Sequence, residues 1–206
     1  MARVAVIADI HCHCGNLGRF LGEIAGRADV ILCAGDLAGY GSALEEAIAL
    51  VVAHGVVCVQ GNHDLYAIGA LEPSLPRRSL LCAVERSRRE ITPAAAAFLA
   101  ALPRRLDLDL DGMRVTVTHG DLTDPERYVH EEDAPAYGQS LFGRTLPEGA
   151  VLFLGHTHVP YVVPCKGGLL CNPGSLGHPR QGLAPSYLSC DSRDPRGTML
   201  LHCLHV

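Results

Sequence analysis

The sequence predicts a mixed α/β (α+β) fold on two observations. In the first third, apolar runs at 4–8, 30–33 and 56–59 alternate with helix-length segments. From about residue 105 onward β-type runs dominate, starting with a hairpin. There Leu106, Leu108 and Leu110 alternate with Asp107 and Asp109, Asp111-Gly112 makes the turn, and 113–118 returns as a strand. Strand-helix-strand units of this spacing imply parallel pairing with right-handed crossovers.

The elements follow in order. After the strand 4–8, Leu17, Phe20, Leu21 and Ile24 fall on one face of a helix over 17–27. Strand 30–33 leads into a Gly-rich loop ending at Gly41. Ser42 is the expected cap of a helix over 43–53, whose first turn carries Glu45 and Glu46 where the dipole favours negative charge. Strand 56–59 meets Gly61. Residues 65–102 read as helical, with Thr92-Pro93 as a clear helix start. Strands at 151–154, 161–163, 168–171, 187–190 and 198–204 complete the chain. Segment 121–148 is acidic, contains proline and is rich in Tyr, Arg and His; it suits a functional loop or a surface connection. With no repeat, low-complexity tract or linker, one domain over 1–206 is expected.

Hydrophobic residues make up 48% and charged residues 19%, an ordinary globular balance. The formal net charge of −5 argues against dedicated nucleic-acid binding, which shows a basic stripe. Arginine clusters at 77–78, 86–89 and 104–105 read as solvated faces. Nine cysteines form an odd count and several lie in apolar runs, which favours reduced thiols and a cytoplasmic location. No stretch reaches the roughly 18 apolar residues that span a bilayer, so no membrane partner is expected. The chain is expected to be a monomer or a homo-oligomer.

Function is written in five short islands: Asp9-Ile10-His11, Gly35-Asp36, Gly61-Asn62-His63-Asp64, His119-Gly120-Asp121 and Gly155-His156-Thr157-His158. Each sits where a strand should end. Alone, most are unremarkable, because turns after strands favour Gly, Asp and Asn. Together, Asp9, His11, Asp36, Asn62, His119, His156 and His158 supply oxygens and imidazoles with no thiolate. That set suits borderline, Lewis-acidic divalent ions. Seven ligands exceed what one ion with an open position needs, and suit two ions sharing a carboxylate and a bridging water or hydroxide.

In this order the islands resemble the calcineurin-like metallophosphoesterase superfamily. The likeness extends into Asn172-Pro173-Gly174-Ser175-Leu176-Gly177, with Pro179-Arg180 and Ser186-Tyr187 beyond, and is closest to the small bacterial and archaeal phosphodiesterase branch. The resemblance implies a four-layer fold, a β-sandwich of two mixed sheets flanked by helices. It implies one metal on Asp9, His11, Asp36 and His158, and another on Asp36, Asn62, His119 and His156, the ions being Mn²⁺, Fe, Zn²⁺ or Ni²⁺. It casts His63 as phosphate contact and general acid and Asp64 as the partner that orients its imidazole. The substrate implied is a phosphodiester or phosphomonoester of a small molecule or nucleotide. Gly35-Asp36 continues as Leu37-Ala38-Gly39-Tyr40-Gly41, without the Asp-Arg-Gly that protein phosphatases carry after their Gly-Asp, which disfavours that branch. A non-catalytic metal-binding scaffold on the same fold is the alternative, although His63 and all seven ligands are present.

One departure from the branch is the insertion Cys12-His13-Cys14 before Gly15-Asn16. His13, Cys12 and Cys14 are further candidate ligands, and Asn16 a candidate substrate contact. The plainer reading is a loop insertion clear of the ions, with Asn16 capping the helix that follows.

Overall fold

A computed structural model describes residues 1–75 and 77–204. Ten strands form two five-stranded sheets. The first has the order β10-β9-β1-β2-β3, from β1 (Arg3–Ile7), β2 (Val30–Cys33), β3 (Val57–Cys58), β9 (Ser186–Asp191) and β10 (Leu200–Cys203). The second has the order β4-β5-β6-β8-β7, from β4 (Arg105–Leu110), β5 (Met113–Thr118), β6 (Ala150–Phe153), β7 (Tyr161–Cys165) and β8 (Gly168–Asn172). Strands β1, β2 and β3 pair in parallel, as do β5, β6 and β8, while β9, β10, β4 and β7 join antiparallel.

Period-two alternation explains the layering. Along β1, Val4 and Val6 face the second sheet, where Val115, Val117, Val151 and Phe153 meet them. Ala5 and Ile7 face the other way, onto Leu17, Phe20 and Leu21 of helix α1 (Cys14–Ile24) and Ala47 and Val51 of α2 (Leu44–Ala53). Beyond the second sheet, Leu152, Leu154 and Leu170 pack with Ala134 and Leu141 of α6 (Ala134–Leu141). The sandwich buries Phe153 completely, so its truncation would cost about 3–5 kcal/mol.

The expected helical middle is three helices, α3 (Asn62–Ala67), α4 (Arg78–Glu90) and α5 (Pro93–Ala101); residue 76 within it lies outside the described residues. Thr92 caps α5 by accepting the Ala95 N–H at 3.2 Å. The short α7 (Pro195–Thr198) precedes β10 and replaces the first residue of the strand expected over 198–204. Ser42 does not cap α2; Ala43 holds that position without a side-chain bond. Helix α1 starts three residues early because His13 Nδ1 accepts the Asn16 N–H at 3.2 Å. No helix among the described residues is long and apolar enough to cross a membrane.

Candidate metal centre and active site

All five islands leave the C-terminal ends of strands, from β1, β2 and β3 in one sheet and β5 and β6 in the other. The two sheets present these ends to one rim. Turning the side chains inward takes left-handed backbone at Asp9 (φ 52°), His11 (48°), Asp36 (58°), His156 (67°) and His158 (60°). Such conformations cost a non-glycine residue about 1–3 kcal/mol each and persist where surrounding structure enforces them. The motif glycines serve close approach. A Cβ at Gly61 would overlap Asp36 Oδ1, and one at Gly155 would stand 2.7 Å from the Ala34 carbonyl.

Asp9 and Asp36 are fully enclosed, at 0% and 1% exposure. Each gives one oxygen to a backbone N–H from another island. Asp9 Oδ2 accepts from His156 N at 3.1 Å, and Asp36 Oδ1 from His63 N at 2.8 Å. Their other oxygens, Asp9 Oδ1 and Asp36 Oδ2, have no hydrogen-bond partner. A buried carboxylate oxygen left so is expensive unless something positive meets it.

The imidazoles show the complementary arrangement. One ring nitrogen of each is tied to a backbone carbonyl: His11 Nδ1 to Ala38 (3.0 Å), His119 Nδ1 to Ala34 (2.7 Å), His158 Nδ1 to His178 (2.5 Å) and His156 Nε2 to Glu126 (2.9 Å). A carbonyl only accepts, so that nitrogen carries the proton, and in His11, His156 and His158 the other keeps its lone pair in a neutral ring. His11 Nε2 and His158 Nε2 thus face each other at 3.2 Å, with Asp9 Oδ1 3.3 Å from His158 and Asp36 Oδ2 3.7 Å from His11. One ligand atom from each of these four residues lies within 4.8 Å of the others. A convergence of oxygens and imidazole lone pairs fits a divalent cation, and the mixed nitrogen-oxygen set suits a borderline metal.

Burial sets the charge of the rings. Burial, aided by His119, pushes His156 down to about 3, and burial with Arg180 does the same to His158. His11 is held well below its ordinary value by burial and by His63. His119 goes the other way. Burial opposes its charge, but Asp36 overcomes that and lifts it to about 9, with Nε2 3.3 Å from Asp36 Oδ2 and 2.8 Å from Asn62 Oδ1. The His119 and His156 rings lie 5.1 Å apart, so Asp36, Asn62, His119 and His156 adjoin the quartet as a looser group.

The sequence pattern of the calcineurin-like phosphoesterase superfamily domain matches residues 2–194. The chain belongs to that superfamily. An uncharacterised protein of Methanocaldococcus jannaschii is 30% identical over 93% of this chain and 83% of its own length. The crystal structure of a metallophosphoesterase from Sphaerobacter thermophilus is 28% identical, with a TM-score of 0.78 over 99% of this chain and 88% of that one. A structurally and functionally characterised archaeal phosphodiesterase shares the fold at 16% identity, with a TM-score of 0.59 over 98% of this chain and 99% of its own. Membership accords with the two mixed sheets flanked by helices described above.

The remaining candidates divide around this rim. His63 is 7% exposed and packs its ring 4.7 Å from His11 and 4.9 Å from Tyr40, at the edge of a cleft of about 590 Å³. Asp64 does not hydrogen-bond that ring. Its oxygens accept the backbone N–H groups of Asp36 (3.0 Å), Ala38 (2.8 Å) and Gly61 (2.9 Å), bracing the turns that carry Asp36 and Asn62. Cys12 turns into the core, with Sγ 3.5 Å from the Leu37 carbonyl, and burial pushes its thiol up to about 12. Cys14 Sγ lies 3.3 Å from the Ala43 carbonyl, and His13 is exposed at the start of α1. Asn16 is inside α1 rather than capping it, and its Nδ2 donates to the Leu176 carbonyl at 2.6 Å. The insertion therefore braces the loop and leaves the quartet to Asp9, His11, Asp36 and His158.

The cleft also gathers residues that motif spacing did not single out: Tyr40, Glu126, Tyr128 and His178. Tyr40 stacks on His178 at 4.4 Å, and Tyr128 on His156 at 4.1 Å. Tyr40 follows the Gly35-Asp36 island in a Gly-Tyr-Gly loop, which was a usable signal. Tyr128 and Glu126 come from the segment 121–148, where no periodicity marked them.

Proposed function

We propose that this chain hydrolyses a phosphodiester or phosphomonoester of a small molecule or nucleotide, with two divalent ions held by the seven ligands. The observation that carries this reading is the partnerless Asp9 Oδ1 beside the facing lone pairs of His11 and His158, with Asp36 next to them, at the floor of an open cleft. Ions bound there would acidify water and neutralise charge on the phosphoryl oxygens. Asp36 belongs to both ligand groups and is the residue that would be shared. His63 stands beside the quartet, free of the backbone ties that fix the ligand rings, so it can hydrogen-bond a phosphoryl oxygen or protonate the departing oxygen. Asp64, through three backbone bonds, holds the turns on which Asp36, Asn62 and His63 are mounted.

Diester chemistry is the preferred reading. It is supported by the likeness to the small phosphodiesterase branch and by the absence, in 37–41, of the Asp-Arg-Gly of protein phosphatases. The test compares bis-p-nitrophenyl phosphate with p-nitrophenyl phosphate, with added Mn²⁺ and with EDTA, for the native chain and His63→Ala. Metal-dependent turnover that falls in the variant is expected; a chain that binds no metal overturns the reading.

A further inference from the structure

Arg180 is the one arginine among the described residues that is half-buried yet makes no hydrogen bond or ion pair through its guanidinium. Arg3, Arg88, Arg89, Arg105 and Arg127 each meet a carboxylate. Arg86 and Arg114 donate to backbone carbonyls. The others without a partner are exposed, where water solvates them. A guanidinium partly withdrawn from water needs an anion or it loses solvation for nothing.

Its place says which anion. Arg180 lies over Tyr128, its Cζ 5.5 Å from the ring centroid, and Tyr128 in turn stacks on the candidate ligand His156. The guanidinium therefore stands one side chain out from the metal ligands, on the wall of the same cleft. Arg77, exposed and also without an ion pair among the described residues, lines that cleft too. The acidic residues lining the cleft are Asp36 and Glu126. Glu126 Oε1 accepts from Tyr66 Oη and from Ser74 N and Oγ, and Asp36 belongs to the ligand cluster.

We infer that Arg180, held on Tyr128 and joined by Arg77, forms a second anion subsite that reads a phosphate adjoining the one at the metal centre. The substrate class is then a diphosphate or longer polyphosphate ester, one phosphate placed on the ligand cluster and the next on Arg180. A planar guanidinium offers the paired N–H donors that phosphate oxygens accept. This deepens the phosphoesterase reading and rests on it for the position of the first phosphate.

The experiment titrates inorganic phosphate and pyrophosphate into the Mn²⁺-loaded chain by calorimetry at fixed free Mn²⁺, and follows both as inhibitors of bis-p-nitrophenyl phosphate turnover. The native chain should bind pyrophosphate at least about tenfold more tightly than phosphate. Arg180→Ala should remove that preference while leaving phosphate affinity unchanged, and Arg180→Lys should restore part of it. Equal affinities in the native chain, a preference surviving in Arg180→Ala, or a variant that loses phosphate binding as well would each overturn the subsite. Calorimetry separates this from the catalytic reading. An Arg180-dependent preference without turnover would keep the subsite and sink the hydrolysis, and turnover without the preference would do the reverse.

Discussion

The two halves of the proposed metal centre solve the same problem differently. In the quartet of Asp9, His11, Asp36 and His158 the two imidazoles turn lone pairs inward and Asp9 Oδ1 has no hydrogen-bond partner. In the adjoining group His119 carries its own proton, lies against Asp36 and Asn62, and supplies the missing positive charge. His156 hangs from the Glu126 carbonyl on segment 121–148, whereas His158 is tied to the loop after β8 that also bonds Asp9 through Ser175. The quartet thus presents lone pairs that a cation could take up directly. Its neighbour must give up a proton to receive one.

Asp36→Asn should have the largest effect, because it strikes both halves at once. Metal content, read by plasma emission, should fall from two ions toward none, and turnover should drop by on the order of 10³. Full metal with retained activity would show that Asp36 is not shared. Next, His158→Ala and His156→Ala separate the halves. The first should abolish tight binding of the first ion; the second should spare it and weaken only the other, by about tenfold or more. Indistinguishable losses would mean that the halves bind as one unit. Chelation of the native chain should also lower its melting temperature, since an ion that binds only the folded state stabilises it.

His63→Ala tests chemistry apart from either half. Both ions should remain, since the ring touches His11 and Tyr40 but lies outside the four-residue cluster. Turnover should fall by about 10²-fold, most for esters with poor leaving groups, as expected for a lost proton donor. If metal content fell in step, His63 would have to be counted as a ligand.

The same comparison explains what could be read from residues alone. Strand ends were legible because Val4, Val6, Val115 and Val117 bury alternate faces and the polar residue after each run has nowhere to go but the rim. The hairpin at Asp111-Gly112 was legible from turn chemistry, and left-handed φ at Asp111 (53°) and Gly112 (90°) is what that turn demands. Ser42 misled because local capping preference ignores where the loop from Gly39 must run; Gly41 N instead donates to the His11 carbonyl at 2.9 Å. Tyr128 and Glu126 were illegible because their roles rest on contacts with residues distant in sequence, and sequence periodicity reports only the element a residue belongs to.

Asp64 gives the finest test, since its charge lies one step away from both halves. The motif suggests that it steers His63, but its carboxylate faces three backbone N–H groups. An amide at that position can accept with only one atom, and its NH₂ would oppose an N–H of Gly61, Asp36 or Ala38. Asp64→Asn should therefore lower stability by about 1–3 kcal/mol in urea unfolding, as for a buried donor left unsatisfied. It should loosen both ions modestly while leaving the pH profile of turnover unchanged at saturating metal. A partner of the His63 ring would behave otherwise. Its loss would shift that profile, because the imidazole would lose the acceptor that favours its charged form, and stability would barely move. A shifted profile at constant stability would thus return Asp64 to the role the motif implies and make its backbone bonds incidental.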